Sequence, residues 1–288
     1  MGHRRLYQRA GIKSMTTLII GKNSNLTQAL AHNISDCRIV SSRELSSNIE
    51  LLSPFKDQAI NLIFNNFQTA TRLNETENTA QYIENSIGIT SKILDYFKET
   101  PIQKILYTSS SSVYGNNIFC SETDEVNPLS LHAALKVSNE KLIEKYSQNR
   151  HIDYTIARIF NMFGGNDIFS IIHKIFIAYT KNETLTVINN GNAIRDFIHI
   201  DNVVDVYNRL LTAPNIPIIN IGSGHGTSIR NILDFLKNHR IELKTQTLSR
   251  DELKISTANN AIMISLFGHY TFKKVEDYLL EQLTQRST

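Results

Sequence analysis

The sequence ILYTSSSSVYG at residues 105–115 decides the fold of this chain. Its first four residues are typical of a short buried strand, which a run of serines and then Gly115 brings to an end. In sheets of parallel strands, ligands bind outside the carboxyl ends of the strands. We therefore expect the serine hydroxyls of this stretch to lie at a reactive site.

A second stretch adds two titratable side chains. The sequence PLSLHAALK at residues 128–136 leads into a run of good helix formers that reaches Tyr146. His132 and Lys136 are four residues apart, so they share one face of the predicted helix. A strand-end hydroxyl together with an imidazole and an ammonium group is a set of groups that can handle protons.

The beginning of the chain has the pattern of a phosphate-binding turn. The apolar run at residues 17–20 is followed at once by Gly21, and then by apolar residues at helical spacing up to Ile34. A strand, a glycine and a helix in this order form the phosphate-binding turn of dinucleotide domains. Further buried strands are predicted at residues 38–40 and 59–64, so the alternation indicates an α/β fold.

Composition and charge narrow the function. The chain has 288 residues and a net charge of +3, which fits one large or two small domains and no nucleic-acid surface. Cys37 and Cys120 lack metal or disulfide spacing, so we expect a reduced cytoplasmic protein without a metal site. No apolar run approaches the roughly 18 residues that span a bilayer. Residues 1–14 lack a signal-peptide centre and are expected to be a disordered basic extension.

These motifs resemble the extended short-chain dehydrogenase/reductase family, the NAD(P)-dependent sugar-nucleotide epimerases, dehydratases and reductases. In that family a strand ending in Ser or Thr precedes a VYG-like tripeptide, and a helix carries Tyr-x-x-x-Lys. Ser110 falls on the Ser/Thr position and Lys136 on the lysine position, but the tyrosine position holds His132. The resemblance implies a Rossmann-like doubly wound parallel sheet with a smaller α+β substrate-binding region at the C-terminal side.

The resemblance extends over nearly the whole chain and implies its organisation. Residues 15–168 would form the dinucleotide-binding domain, to which residues 195–225 return. Residues 169–194 and 226–288 would form the substrate-binding domain. A nucleotide-sugar substrate, a cytoplasmic location and a homodimer are implied as well, with no nucleic-acid or membrane partner.

The resemblance also assigns a cofactor site. The family's Gly-x-x-Gly-x-x-Gly falls on Gly21, Ser24 and Thr27, so the first glycine is kept and two hydroxyl residues replace the others. Asn25 and Leu26 belong to the same turn. Small residues still let a pyrophosphate approach, and hydroxyls can donate to it. The remaining positions assigned to the cofactor are Arg43, Phe64, Asn65, Asn85, Lys136 and Phe160.

The end of the second strand bears on the choice between NADP and NAD. An Asp or Glu here would bind the ribose 2′-hydroxyl of NAD, whereas Ser41, Ser42 and Arg43 follow this strand directly. Arginine suits a 2′-phosphate, so NADP is preferred to NAD. The alternative is that Arg43 is a solvated loop residue. The family's next strand, which ends in an adenine-binding Asp, is not recognisable in this short span.

The substrate would contact four side chains by the same resemblance: Ser110, Asn161, Arg195 and Arg250. Ser110 would hydrogen-bond the reacting oxygen, and the other three would contact the diphosphate. Arginine suits a diphosphate because its planar guanidinium donates two parallel hydrogen bonds and stays charged. Asp196 and His199, which follow in the motif RDFIH, are expected to be structural.

The residue at position 132 decides the expected chemistry. In the family the tyrosine moves the hydroxyl proton during hydride transfer. Beside Lys136 an imidazole stays neutral, so His132 could accept or donate this proton, or a nearby tyrosine such as Tyr114 could replace it. Ser111 and Ser112 stand where dehydratases carry Asp-Glu, so epimerisation or 4-ketoreduction is expected. The alternative is a silent relative that binds a dinucleotide or nucleotide sugar without turnover.

Overall fold

The structure is a computed structural model, and it describes residues 15–66 and 79–285. The predicted extension at residues 1–14 lies outside the described residues. The strands are β1 (Thr16–Ile20), β2 (Cys37–Val40), β3 (Ile60–Phe64), β4 (Ile102–Ser110), β5 (Phe119–Cys120), β6 (Asp153–Ile159), β7 (Asn161–Phe163), β8 (Leu185–Ile188), β9 (Ile194–His199), β10 (Ile218–Ile221), β11 (Gly226–Ser228), β12 (Thr245–Leu248) and β13 (Ile255–Ala258).

Helices alternate with these strands. They are α1 (Asn25–Asn33), α2 (Ser42–Ser47), α3 (Thr79–Ile83), α4 (Ile89–Tyr96), α5 (Leu131–Arg150), α6 (Ile171–Thr180), α7 (Ile200–Thr212), α8 (Ile229–Asn238), α9 (Ala261–Phe267) and α10 (Val275–Thr284). A π-helical segment at Glu84–Gly88 joins α3 to α4. Within the described part of the chain, none of the helices has the length and apolar character that crossing a membrane requires.

A parallel six-stranded sheet forms the centre of the fold. Its strand order is β10-β6-β4-β3-β1-β2, and every neighbouring pair is parallel. The chain passes from β1 to β2 on one side and then returns to β3 on the other, which makes the gap between β1 and β3 the topological switch point. The predicted Rossmann-like doubly wound sheet is confirmed.

The sheet is buried on both faces, as its continuous apolar strands predict. All five residues of β3 are buried. Helices α1 and α7 pack on one face, where Leu30 and Tyr207 join the core, and α2, α4 and α5 pack on the other. These helices bring their N-terminal ends to the edge of the sheet at which the parallel strands end, so Ser24 at the start of α1 and Ser110 at the end of β4 lie at this edge.

The dinucleotide half of the sheet is shorter than the complete pattern. A doubly wound sheet of order 3-2-1-4-5-6 has three strands on one side of the switch point. Here α2 and a 3-10 helix at Ile49–Phe55 fill the span from β2 to β3, and β2 is the edge strand among the described residues. This explains why the strand that binds adenine in the family was not recognisable in the sequence.

A second layer follows at the C-terminal side. Strands β11, β9, β13 and β5 form a sheet in this order, β7 pairs with β9, and β12 pairs with β8. Helices α6, α8 and α10 share a hydrophobic core with β8 and β9. This arrangement is the smaller α+β region that the resemblance implied.

Candidate active site

Lys136 fixes α5 against the end of β4. Its Nζ atom donates a hydrogen bond to the carbonyl oxygen of Thr108 at 2.7 Å and lies 5.1 Å from the ring centre of Tyr107. Only 8% of the side chain is exposed. Burial lowers the pKa of Lys136 to about 8, against the opposing effect of Glu140. The ammonium group is therefore held at the strand end that the sequence indicated.

His132 lies one turn before Lys136 and is half-buried. Burial, with a smaller contribution from the charge of Lys136, lowers the pKa of His132 to about 4, so the imidazole is neutral at pH 7. Its Nδ1 atom lies 3.0 Å from the hydroxyl oxygen of Tyr82 on α3. Sequence reasoning missed Tyr82, which stands 50 residues away in the chain.

Ser110 ends β4 and starts the next turn. Its Oγ atom accepts a hydrogen bond from the backbone N–H of Ser112 at 3.2 Å, which caps the 3-10 helix Ser111–Tyr114. The side chain is half-buried. A serine hydroxyl has a second lone pair and a proton to donate, so Ser110 keeps the capacity to bond a ligand oxygen.

A buried ion pair lies beneath the helix that carries His132 and Lys136. The guanidinium of Arg158 donates to both carboxylate oxygens of Glu140, from Nε at 3.2 Å and from Nη2 at 2.7 Å. Ser109 also donates to Glu140. Both charged side chains are at most 4% exposed. Glu140 follows Lys136 by four residues, as Lys136 follows His132. This spacing is the signal from which the sequence could have indicated Glu140.

Tyr114 belongs to this buried layer and not to the proton-handling group. It is fully buried, its hydroxyl donates to Oδ1 of Asn220 at 2.7 Å, and its ring lies 4.8 Å from Cζ of Arg158. Burial raises the pKa of Tyr114 to about 12. A substrate cannot reach this hydroxyl. The tyrosine that contacts His132 is Tyr82.

The phosphate-binding turn is stabilised by hydrogen bonds that link Asn65 to the two hydroxyl residues at the glycine positions. Gly21 has φ +125°, and a Cβ atom there would lie 2.2 Å from the carbonyl oxygen of Asn65. The Nδ2 atom of Asn65, at the end of β3, donates to Oγ of Ser24 at 2.9 Å and to Oγ1 of Thr27 at 2.8 Å. The two hydroxyls that replace glycines thus share the asparagine as hydrogen-bond donor.

The N-terminus of α1 is compatible with a dinucleotide. It lies at the switch point, Ser24 caps it, and its first turn, which is within the described residues, carries no acidic side chain. Backbone N–H groups at a helix N-terminus bind phosphate groups. Leu26 is buried in the core, so only its backbone can face a pyrophosphate. Asn25 links the turn to the next loop, donating to the Gly164 carbonyl at 2.9 Å.

The other predicted cofactor residues fall into two groups. Arg43 is exposed in the first turn of α2, and Asn85 is half-buried in the π-helical segment. Phe64 and Phe160 are buried in hydrophobic clusters. Sequence reasoning overlooked Glu44, the exposed acidic residue next to Arg43.

Of the two predicted arginines of the substrate site, Arg195 lies on β9 and Arg250 is exposed in the loop between β12 and β13. Nη2 of Arg195 lies 3.3 Å from Oε2 of Glu252, and both side chains are about one-fifth exposed. Asn189 donates to Glu252 at 3.1 Å and also to the backbone carbonyl of Arg250. Asn161 is exposed at the start of β7, which pairs with β9. The guanidinium of Arg195 is thus paired with a carboxylate of the chain itself.

Asp196 and His199 have structural positions, as expected from the sequence. The carboxylate of Asp196 accepts hydrogen bonds from the backbone of Ser223, Gly224 and Ala258 and is fully buried. The Nδ1 atom of His199 accepts from the backbone N–H of Asp201 at 3.3 Å and so caps α7. Both residues fix the loops around β9.

Comparison with known proteins gives consistent matches. The model of the NAD dependent epimerase/dehydratase family matches residues 6–222. Protein CapI of Staphylococcus aureus is 32% identical over 179 residues, 60% of this chain and 53% of that protein. The putative UDP-glucose 4-epimerase of Methanocaldococcus jannaschii is 26% identical over 232 residues, 78% of this chain and 75% of that protein. The chain therefore spans about half the length of the first of these relatives.

A solved structure shares the fold. UDP-glucuronic acid 4-epimerase from Bacillus cereus, in complex with UDP-glucuronic acid and NAD, superposes with a TM-score of 0.79 at 23% identity. The match covers 94% of this chain and all of that chain (100%). The similarity therefore extends through both the six-stranded sheet and the C-terminal layer.

Proposed function

The chain belongs to the NAD dependent epimerase/dehydratase family, and on this premise we propose that it is a sugar-nucleotide epimerase or 4-ketoreductase. The observation that carries the proposal is the convergence of three groups at the end of β4. Ser110 is the last residue of the strand, and Lys136 donates a hydrogen bond to the carbonyl oxygen of Thr108 in the same strand. His132 lies one turn from Lys136 on α5. Dehydration is not proposed, because Ser111 and Ser112 stand where dehydratases of the family carry Asp-Glu.

Each of these side chains has a task in the proposed reaction. A bound nicotinamide supplies or accepts the hydride. Ser110 hydrogen-bonds the sugar oxygen whose carbon is oxidised or reduced. His132, neutral at pH 7, takes the proton of this oxygen or returns it. Lys136 holds the cofactor ribose as in the family; burial, with a smaller contribution from the charge of Lys136, keeps His132 from binding a second proton.

The test is turnover with defined substrates. The purified chain is incubated with UDP-, dTDP-, CDP- or GDP-hexoses in the presence of NAD or NADP, and the products are separated by chromatography. To test for ketoreduction, the chain is incubated with 4-keto-hexose nucleotides and NADPH instead, and the loss of NADPH absorbance is followed. Conversion of one nucleotide sugar into its C4 epimer, or reduction of a 4-keto sugar, is expected. Absence of both reactions while the dinucleotide binds would contradict the proposal.

A silent binding protein is the second candidate, and one observation favours it. The guanidinium of Arg195, the proposed diphosphate clamp, is already paired with Glu252 at 3.3 Å. A substrate diphosphate would have to compete with this carboxylate, which favours weak or absent substrate binding. Dinucleotide binding without turnover of any nucleotide sugar would support this candidate.

For the cofactor we propose NADP in preference to NAD. Exposed Arg43 and the hydroxyl of Ser42 follow β2 and suit a 2′-phosphate, while the carboxylate of Glu44 beside them opposes it. Replacing Arg43 by alanine is expected to weaken NADPH binding by about tenfold, the effect of losing one exposed charged contact, and to leave NADH binding unchanged. Fluorescence titration of both dinucleotides measures this, and equal losses for both would contradict the preference.

The hydrogen bonds of Asn65 predict a further effect on dinucleotide binding. Replacing Asn65 by alanine removes the donor that holds the hydroxyls of Ser24 and Thr27. We expect dinucleotide affinity to fall by about tenfold, corresponding to roughly one net hydrogen bond. In the same background, Ser24→Gly with Thr27→Gly should restore affinity, because no hydroxyl is then left without its donor. Titration of the single and triple variants checks this, and no difference between them would refute it.

The organisation of the chain is proposed on the same basis. Residues 15–168 with residues 195–225 hold the dinucleotide, and residues 169–194 and 226–288 hold the substrate. Supporting this division, β10 lies in the central sheet and α7 packs on it, whereas α6, α8 and α10 share a separate core. Strands β5, β7 and β9 are exceptions, because they pair within the second layer. A homodimer in the cytoplasm completes the proposal.

A further inference from the structure

Tyr82 lies next to the imidazole that replaces the family's tyrosine. It belongs to α3, is 4% exposed, and its hydroxyl oxygen is 3.0 Å from Nδ1 of His132. His132 is the more exposed of the two side chains. A ligand in the site therefore meets the imidazole first, and the phenol lies behind it.

The geometry between the two helices is held by a second contact. The segment Glu84–Gly88 continues directly from α3, and Nδ2 of Asn139 on α5 donates to Oγ of Ser86 at 3.1 Å. Asn139 also donates to the backbone carbonyl of Leu135. Asn139 is seven residues after His132, two turns along the same helix. The Ser86–Asn139 bond thus fixes α3 on α5 close to the Tyr82–His132 bond.

The chemistry of the two rings decides which atom carries the proton. Burial raises the pKa of Tyr82, so its hydroxyl stays protonated at neutral pH. The imidazole of His132 is neutral and has one N–H and one acceptor nitrogen. A phenol is a good donor and an imidazole nitrogen a good acceptor, so Nδ1 accepts the bond from Tyr82. The proton of His132 is then on Nε2, because the partner of one ring nitrogen sets the state of the other.

We propose that Tyr82 is a positioning residue that sets the tautomer of His132 and passes its own proton through the imidazole to the substrate oxygen. This inference rests on the proposed function and names the proton path within the same site. A phenol from another helix thus takes part in the proton path of this chain, one ring further from the substrate.

The proton transfers balance in both directions. When a 4-keto sugar is reduced, C4 gains the hydride of a reduced nicotinamide and the carbonyl π pair moves to the oxygen. The bond from Nε2 to hydrogen breaks as the sugar O–H bond forms, and an Nδ1–H bond forms as the O–H bond of Tyr82 breaks. Nε2 then takes a proton from solvent and the Nδ1 proton returns to Tyr82, which restores the starting tautomer. Oxidation of a sugar hydroxyl runs the same transfers in reverse, after Nε2 has released its proton to solvent and Nδ1 has taken that of Tyr82.

The relay also accounts for how a neutral histidine acts as an acid. Burial and the charge of Lys136 disfavour a doubly protonated imidazole. Loss of the Nε2 proton alone would leave an imidazolate anion, and protonation of Nδ1 first would form the disfavoured imidazolium, so His132 gives up its Nε2 proton as Nδ1 receives another. Tyr82 is placed to supply it, at hydrogen-bond distance from Nδ1.

The first test observes the tautomer directly and needs no turnover. The full chain is labelled with ¹⁵N-histidine, and the signals of His132 among the nine histidines are assigned by their loss in His132→Gln. In the native protein, Nε2 of His132 is expected to be protonated and Nδ1 unprotonated. In Tyr82→Phe, His132 is expected to show a mixture of the two tautomers. A native Nδ1–H tautomer, or a spectrum unchanged in Tyr82→Phe, would overturn the proposal.

The second test measures kinetics with a matched control. Tyr82→Phe, which removes only the hydroxyl, is expected to lower kcat by about 10²-fold with little change in KM, the scale of lost acid–base assistance. The control is Tyr96→Phe. Tyr96 lies on α4, and its hydroxyl donates a hydrogen bond to the exposed Glu50 at 2.9 Å instead of to His132. An unchanged kcat in Tyr82→Phe would refute the relay. Since the tautomer is observed without substrate, failure of the proposed reaction remains distinguishable from failure of this inference.

Discussion

Replacing Glu140 by alanine is expected to lower the free energy of unfolding by about 3–5 kcal/mol, the usual cost of removing one partner from a buried ion pair. The reason is the burial of Arg158, whose side chain is 4% exposed and which donates two hydrogen bonds to this carboxylate. Ser109 would lose its acceptor as well. Urea unfolding monitored by circular dichroism measures the change.

The same helix offers a matched control for this prediction. Glu144 pairs with Lys141 at 2.8 Å, but the lysine side chain is 72% exposed. Glu144→Ala should therefore cost about 0–1 kcal/mol, as exposed pairs do. A double change of Glu140 and Arg158 to Met should be less harmful than Glu140→Ala alone, because no charge is then left buried. Equal losses in Glu140→Ala and Glu144→Ala would show that water reaches Arg158.

Replacing His132 by alanine is expected to reduce kcat by about 10²- to 10⁴-fold, the contribution of a positioned acid or base. Dinucleotide affinity should stay near the native value, because Lys136 and the phosphate-binding turn are untouched. Since the pKa of His132 is about 4, kcat of the native chain should stay level from about pH 7.5 to 5.5. An ordinary imidazole with a pKa of about 6.5 would change its charge in this range. Steady-state rates at each pH measure both effects.

The control for this substitution is His239→Ala, because His239 is an exposed imidazole at the end of α8. The kcat of the His239→Ala variant should equal that of the native chain. A His132→Ala variant with native kcat would remove His132 from the proton path. A steep fall of the native kcat below about pH 6.5 would show an imidazole of ordinary pKa.

The fold was predictable because its signals are local. The strand ending at residues 108–110, the helix with His132 and Lys136, and the glycine turn at Gly21 all lie where continuous apolar runs and helical spacing indicated. Within the described residues no strand lies beyond β2, and the sequence showed the span from β2 to β3 as too short to contain one. Such features depend on residues close together in the chain, which a single sequence displays.

The contacts that define the site were not predictable in the same way. Tyr82 reaches His132 across 50 positions, and Asn65 reaches Ser24 across 41. In the sequence, two hydroxyl residues replaced glycines of the family pattern, and Asn65 was only one of the positions assigned to the cofactor. In three dimensions they form one hydrogen-bonded arrangement. Tyr114, by contrast, was close to the site in sequence but is buried beneath it.

The central claim is that an imidazole backed by a phenol replaces the family's tyrosine as the proton carrier. The most direct test compares turnover of nucleotide sugars by the native chain and by His132→Tyr at saturating dinucleotide. The account predicts that the native chain turns over a nucleotide sugar and that His132→Tyr is slower, because the new phenol displaces the bond to Tyr82. Activity that arises only in His132→Tyr, with none in the native chain, would contradict it.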